Sequence, residues 1–192
     1  FTYAKLLRFT LPSIVMMVFT SIYGVVDGLF VSNFVGKTAF ASVNLVMPFI
    51  MILGGVGFML GTGGTALASK LLGEGDHEAA NRTFSMMVLF TLLLGAALSA
   101  AGIVFMRPVS RLLGATDAML ADCVLYGRIV TGFTFAFMLQ NVFQSFFIAA
   151  EKPQLGLRVT VAAGVTNMVL DALFVAVFRW GVAGAAIATG LS

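Results

Sequence analysis

Two aspartates, Asp27 and Asp171, lie deep within segments whose other residues are almost all apolar. Each opens the same local phrase, D-x-L-F-V-x-x-F, and the two copies are offset by a constant 144 residues. An ionisable side chain in hydrocarbon costs about 2.5 to 3.5 kcal/mol on insertion scales, so it is seldom kept there without a cation, a proton or a polar partner. The matched pair therefore predicts one shared site.

Composition indicates that these acids lie in a membrane protein. The chain has 60% hydrophobic and 10% charged residues and a mean hydropathy of +1.05, whereas soluble domains have roughly 25% charged residues. We therefore expect a polytopic membrane protein that is in contact with the lipid bilayer. The net charge of +3 comes from basic residues near segment ends, so it gives no reason to expect a nucleic acid partner. The single cysteine rules out an internal disulfide, and the single histidine matches no metal-site spacing.

Apolar runs predict five complete membrane spans and the beginning of a sixth, because about 20 apolar residues cross a bilayer. The spans are expected at about 9–35, 40–69, 83–106, 124–149 and 155–178, with the sixth beginning near Val182. The polar stretch 70–82 is expected to form a loop or a short surface helix, and 107–122 a connector. The fold class is thus an all-α integral membrane protein, a six-helix transmembrane bundle forming one domain over 1–192. Because Ser192 lies inside an apolar run, we expect a fragment of a longer protein, truncated within the sixth helix.

The distribution of basic residues predicts a cytoplasmic amino end, by six residues on the inner side against five on the outer side. Asp27 and Asp171 then lie at similar depths, roughly 11 to 12 Å below the outer boundary at 1.5 Å per residue. Thr189 reaches a similar level from the sixth span, and Asn167 lies one helical turn from Asp171. We expect these four oxygen-bearing side chains to converge.

Such a cluster suits a sodium ion or a proton. Carboxylate, amide and hydroxyl oxygens replace the hydration shell of sodium, while two close carboxylates favour a shared proton. We expect no cofactor beyond this coupling ion. The alternative for Asn167 and Thr189 is that they form hydrogen bonds between helices, as polar residues in membranes often do.

The order of motifs resembles the amino-terminal lobe of a multidrug and toxic compound extrusion (MATE) transporter. The residues that carry this resemblance are Leu11-Pro12, Tyr23-Gly24-Val25-Val26-Asp27-Gly28-Leu29-Phe30-Val31, Ala41-Ser42-Val43-Asn44-Leu45-Val46-Met47-Pro48, Gly61-Thr62-Gly63-Gly64-Thr65-Ala66-Leu67-Ala68-Ser69, Leu72-Gly73-Glu74-Gly75-Asp76 and Asn167-Met168-Val169-Leu170-Asp171. The resemblance covers essentially the whole chain.

The resemblance implies a fold of twelve helices in two six-helix lobes, with this chain supplying one lobe and a carboxy-terminal lobe completing the protein. It implies that Asp27, Asn167, Asp171 and Thr189 bind the coupling cation, sodium or a proton. It also implies an antiporter in the cytoplasmic membrane that exports amphipathic, often cationic, organic compounds by alternating access. The family does not fix which ion drives transport.

Candidate residues for the substrate cavity are polar or polarizable. Gln140, Asn141 and Gln144 recur at helical spacing in the fourth span, and Met47 is one of eleven methionines that suit an adaptable apolar wall. Bonding between helices is the alternative for the three polar residues, and lipid contact or core packing the alternative for the methionine.

Three other functions fit an acidic pair in a membrane. A lipid-linked oligosaccharide flippase of the same superfamily is expected to carry basic cavity residues, and no lysine or arginine here is clearly mid-span. An intramembrane aspartyl protease is associated with Tyr-Asp and Gly-x-Gly-Asp, whereas Asp27 follows Val26 and Asp171 follows Leu170. We therefore expect a transporter and not an enzyme. A passive assembly subunit would tolerate replacement of both aspartates.

Overall fold

The computed structural model describes residues 3–150 and 152–192, and this part of the chain is almost entirely helical. Its seven α-helices are α1 (Tyr3–Phe30), α2 (Lys37–Gly73), α3 (His77–Leu112), α4 (Asp117–Gly132), α5 (Thr134–Ala149), α6 (Pro153–Asp171) and α7 (Gly181–Leu191). Helix α1 continues into a π-helical turn at Val31–Val35, and α6 continues into another at Ala172–Val177. These are called the first and second π-turns.

The helices form a multi-pass membrane bundle, as the composition predicts. Four segments are long and apolar enough to cross a bilayer, namely Thr10–Val35, Lys37–Gly73, His77–Leu112 and Pro153–Val177. Helices α4 and α5 provide a fifth span when they are taken together, and α7 is a shorter apolar helix. The expected all-α membrane fold is confirmed.

Two connections are shorter than the sequence suggests. The stretch 70–82 is not a loop, because α2 extends to Gly73 and α3 begins at His77. The added turn of α2 contains a Lys70–Glu74 ion pair of 3.8 Å, and the Asp76 carboxylate caps α3 by accepting a hydrogen bond of 3.0 Å from the Ala79 N–H. The connector predicted at 107–122 is likewise mostly helical, since only residues 113–116 separate α3 from α4. Helices continue past the membrane boundary where polar side chains favour them, and hydropathy does not register this.

The fourth span is broken, whereas the sequence predicts one continuous helix over 124–149. Helices α4 and α5 meet at Phe133 with a bend of 49°. Gly132 weakens the helix there, and the Phe133 N–H donates a tight hydrogen bond of 3.0 Å to the Val130 carbonyl. The Phe133 ring packs against Gly190 of α7, where any larger side chain would overlap it. The bend thus follows from a contact distant in sequence.

Packing divides the bundle into a central helix and two flanks. Helix α2 packs against α3, α4 and α5, while α1 packs along α6, and α7 packs against α4, α6 and the second π-turn. The main apolar core joins α2, α3 and α4 to both π-turns and α7, and it includes Val46, Met106, Val31 and Val175. The π-turns are therefore held by the core of the lobe.

Close packing of α2 against α5 predicts opposite effects for two glycines on one helix. A Cβ atom at Gly57 would lie 2.6 Å from the Cα of Met138, whereas one at Gly63 would meet nothing within 4 Å. We expect Gly57→Ala to destabilise the protein by about 1 to 3 kcal/mol through overpacking. Gly63→Ala should be neutral or stabilise it by about 0.5 to 1 kcal/mol through helix propensity. Thermal unfolding of the purified full-length protein tests this, and equal effects of the two variants would contradict the packing.

Candidate functional site

The two aspartates are buried between α1 and α6. Asp27 lies near the end of α1, just before the first π-turn, and it is 8% exposed. Asp171 is the last residue of α6, just before the second π-turn, and it is 0% exposed. Asp27 thus lies one helical turn before its π-turn and Asp171 directly precedes the other, in helices that pack against each other.

A glycine on α6 allows the two helices to approach. Gly164 lies against Phe19 and Tyr23 of α1, where a Cβ atom would overlap the Phe19 ring and lie 3.0 Å from the Tyr23 ring. Asp27 is one turn beyond Tyr23, and Asp171 is two turns beyond Gly164. The contact at Gly164 thus sets how closely the two carboxyl groups can face each other.

The two carboxyl groups lie side by side, close enough to share one hydrogen bond when one of them carries a proton. Within the described residues, Asp27 Oδ1 and both side-chain oxygens of Asp171 are buried and lack a hydrogen-bond partner. The ion pair found in this part of the chain is Lys70–Glu74 at the surface, so neither aspartate has a basic partner there. Unpartnered buried acids are costly, and a bound cation or proton would offset that cost.

Asn167 and Thr189 lie on the elements that enclose the pair. Asn167 is 2% exposed, and its Oδ1 is another buried acceptor without a partner among the described residues. Thr189 is half-buried and donates a hydrogen bond of 3.0 Å to the Ala185 carbonyl, so its oxygen lone pairs remain available. Gly184 lets α7 approach, because a Cβ atom there would lie 3.0 Å from the Phe174 carbonyl oxygen.

Tyr126 of α4 is a further polar side chain of this site, and sequence reasoning missed it. It is 1% exposed, its hydroxyl lies beside that of Thr189, and both aspartates are near enough to act on it electrostatically. The hydroxyl has no well-formed hydrogen bond among the described residues. Tyr126 lies two residues after the start of the predicted fourth span, 124–149, so the depth calculation places it only about 3 Å deep and does not find it.

The repeated phrase has a structural counterpart. Beyond the two acids, Val31 and Val175 occupy matching positions and are both 1% exposed. Phe30 stacks on Phe34 with ring centroids 5.9 Å apart and an interplanar angle of 22°, and the matching pair Phe174 and Phe178 stacks at 6.2 Å and 23°. Equivalent residues thus have equivalent environments, and each copy ends in a π-turn of the type that often marks functional sites.

Comparison with known proteins assigns the family. The sequence profile of the MatE family matches residues 12–173, most of the chain. The chain belongs to the MATE family. It is 24% identical over 187 residues to the multidrug export protein MepA of Staphylococcus saprophyticus, and 24% identical over 190 residues to MepA of Staphylococcus aureus strain MRSA252. These alignments cover 97% and 99% of this chain and 42% of each relative, so the chain spans less than half the length of the relatives it matches.

Solved structures show the same fold. A crystal structure of a MATE protein in complex with MaD3S superposes with a TM-score of 0.90 at 25% identity, covering 96% of this chain and 41% of that one. An outward-facing multidrug resistance MATE transporter gives a TM-score of 0.89 at 25% identity with the same coverage. A transporter from Pyrococcus furiosus gives 0.87 at 24% identity, covering 96% of this chain and 41% of that one. The MATE chain therefore has the architecture of one lobe of these transporters.

The predicted cavity residues of this MATE chain are dispersed. Gln144 donates a hydrogen bond of 2.8 Å to Thr160 Oγ1 and so joins α5 to α6, while Asn141 donates one of 3.0 Å to the Phe137 carbonyl of its own helix. Gln140 is half-buried, and Met47 packs against the main core. Their role in substrate binding stays a prediction.

The oxygen atoms at the acidic pair fit a hard monovalent cation. The buried, unpartnered oxygens of Asp27, Asp171 and Asn167, with the half-buried hydroxyl of Thr189, are of the type that replaces the hydration shell of sodium. The side-by-side carboxyl groups also suit one shared proton. The same residues could therefore hold either ion.

Placement of Tyr126 predicts a role in cation affinity. Tyr126→Phe removes the hydroxyl beside Thr189 and keeps the ring that fills the core. We expect cation-dependent thermal stabilisation of the full-length transporter to weaken by about 1 kcal/mol, the usual net contribution of one polar group. Tyr3→Phe, at an exposed position on α1, is the matched control and should behave as wild type. Unchanged stabilisation in Tyr126→Phe would assign this side chain to packing alone.

Proposed function

We propose that the full-length protein is a cation-coupled antiporter, which exports amphipathic organic compounds through the cytoplasmic membrane by alternating access. The observation that carries this proposal is the pair of buried carboxyl groups on α1 and α6, for which the described residues provide no basic partner. Such a pair exchanges a positive charge with one side of the membrane at a time when the lobe around it moves.

Coupling between the ion and the substrate follows from linkage. If a cation and a substrate favour different conformations of the transporter, each lowers the affinity of the other by the same free energy. In this chain the acidic pair joins α1 to α6, so charge neutralisation at the pair changes how firmly these two helices hold together. The substrate would respond to that change in helix packing without touching the aspartates.

Export of drugs is supported by the relatives. The staphylococcal proteins are named multidrug export proteins, and the outward-facing structure is that of a multidrug resistance transporter. A lipid-linked oligosaccharide flippase has less support, since the relatives that this chain matches are named for multidrug export. Substrates of amphipathic and cationic character are the ones we propose.

The acidic pair predicts loss of transport when either charge is removed. Asp27→Asn and Asp171→Asn should each abolish gradient-driven dye efflux from proteoliposomes that contain the full-length protein, while membrane insertion is retained. Asp117→Asn, at an exposed acid in the first turn of α4, is the control and should transport as wild type. Retained efflux in the double variant Asp27→Asn/Asp171→Asn would contradict coupling through this pair. Imposing a sodium gradient and then a proton gradient on the same vesicles identifies the driving ion.

Neutral oxygens at the site predict a milder effect. Asn167→Ala and Thr189→Ala each remove one uncharged oxygen and keep both carboxylates. We therefore expect weaker cation affinity, by about tenfold for one lost contact of roughly 1.4 kcal/mol, with transport still measurable at saturating cation. Thr166→Ala is the control, because its hydroxyl is exposed and bonded within its own helix to the Ala162 carbonyl at 2.8 Å. If cation-dependent stabilisation is the same in all three variants, Asn167 and Thr189 serve helix packing.

A further inference from the structure

Arg128 is a charged residue well inside α4, eleven residues and about 16 Å along the axis from Asp117. Its side chain is exposed, and its Nε donates a hydrogen bond of 3.1 Å to the Ile103 carbonyl of α3. This contact holds the guanidinium at the seam between α3 and α4. Because a guanidinium has five N–H donors, the outer face of the group remains free to bind another acceptor.

Two more arginines continue this seam on α3. Arg107 and Arg111 follow Ile103 by one and two helical turns, so all three residues lie on one face, and both arginines are exposed. Helices α3 and α4 run antiparallel here, since Gly102 packs against Thr131 and Gly127 packs against Met106. We call Arg107, Arg111 and Arg128 the arginine seam.

The positive charge of the arginine seam is not neutralised by the described residues. Among the described residues the ion pair found is Lys70–Glu74, which lies near the amino-terminal end of α3 and far from the seam. The acid nearest in register is Asp122, which faces the level of Arg111 in the antiparallel pair without forming an ion pair. Three guanidinium groups therefore share at most one carboxylate.

The surroundings of the seam are apolar. Val104 and Leu93 lie two and five helical turns before Arg111 on the same face of α3, and they expose 66% and 64% of their surfaces. A ligand that satisfies both features must carry an anionic group and long apolar chains. Free phosphate would satisfy the arginines and leave this apolar surface uncovered.

We propose that the arginine seam binds an anionic phospholipid. The fork of N–H groups on Arg128 and Arg107 matches phosphate oxygens, because guanidinium groups bind phosphate in a bidentate way. The acyl chains then lie along Val104 and Leu93 on the same face of α3. The proposal does not rest on the proposed transport function.

Native mass spectrometry of the full-length protein in neutral detergent tests the proposal. The protein is titrated with phosphatidylglycerol, with phosphatidylcholine, and with glycerol phosphate as the free headgroup. We expect phosphatidylglycerol to bind most tightly. Arg107→Gln and Arg128→Gln should each lower its affinity about fivefold, the usual contribution of one basic residue near an anionic membrane surface. Asp122→Asn should raise the affinity, because it removes the competing carboxylate.

Controls separate this site from general attraction and from misfolding. Arg82→Gln removes an exposed arginine at the other end of α3 and should leave the affinity unchanged. Arg107→Gln does not touch the Ile103 contact, so its effect counts even if Arg128→Gln unfolds. Equal affinity in Arg107→Gln and wild type, an equal loss in Arg82→Gln, or binding of glycerol phosphate as tight as that of the lipid would each overturn the proposal.

Discussion

The constraint on which this lobe depends is the cost of burying two carboxyl groups beside each other in a membrane. Asp27 and Asp171 face each other between α1 and α6, and the described residues provide no basic side chain to neutralise them. In water such a pair would be screened, but in a low-dielectric interior the repulsion between two ionised acids is strong. On the proposed function, a proton or a cation that both acids share reduces this charge and so allows the helices to stay packed.

Small residues make this burial geometrically possible. Gly164 brings α1 onto α6, and Gly184 brings α7 to the backbone of the second π-turn. Membrane helices gain no hydrophobic free energy from association, so such close backbone contacts hold them together through packing. The polar site thus lies where glycines allow close contacts between helices. The position of its oxygens depends on these glycines, which have no side chain that could bind an ion.

The proximity of Asp27 and Asp171 could be predicted from the sequence, because helix periodicity and rise convert residue number into height and face, whereas their depth in the membrane stays a prediction. Tyr126 could not be singled out by the same reasoning, since a tyrosine in a membrane span is usually an apolar side chain with a polar tip. Gly132 is a local signal for the break at Phe133, whereas the contact of the Phe133 ring with Gly190, 57 positions further along the chain, is not visible in the sequence. Hydropathy does not predict the helix ends 70–73 and 107–112, because it detects the apolar part of a helix and not the part that extends beyond the membrane.

The repeated phrase relates the sequence to the backbone geometry and packing around the acidic pair. In both copies an acid is followed by a buried valine and a stacked phenylalanine pair, and both copies leave α-helical geometry for a π-turn. A π-turn is a rare interruption of α-helical geometry that is frequent at functional sites. Because the two π-turns contact each other and share the core through Val31 and Val175, a shift in one changes the packing of the other. Asp171 directly precedes the second π-turn and Asp27 lies one helical turn before the first, so the charge state of the pair is placed to act on two helices at once.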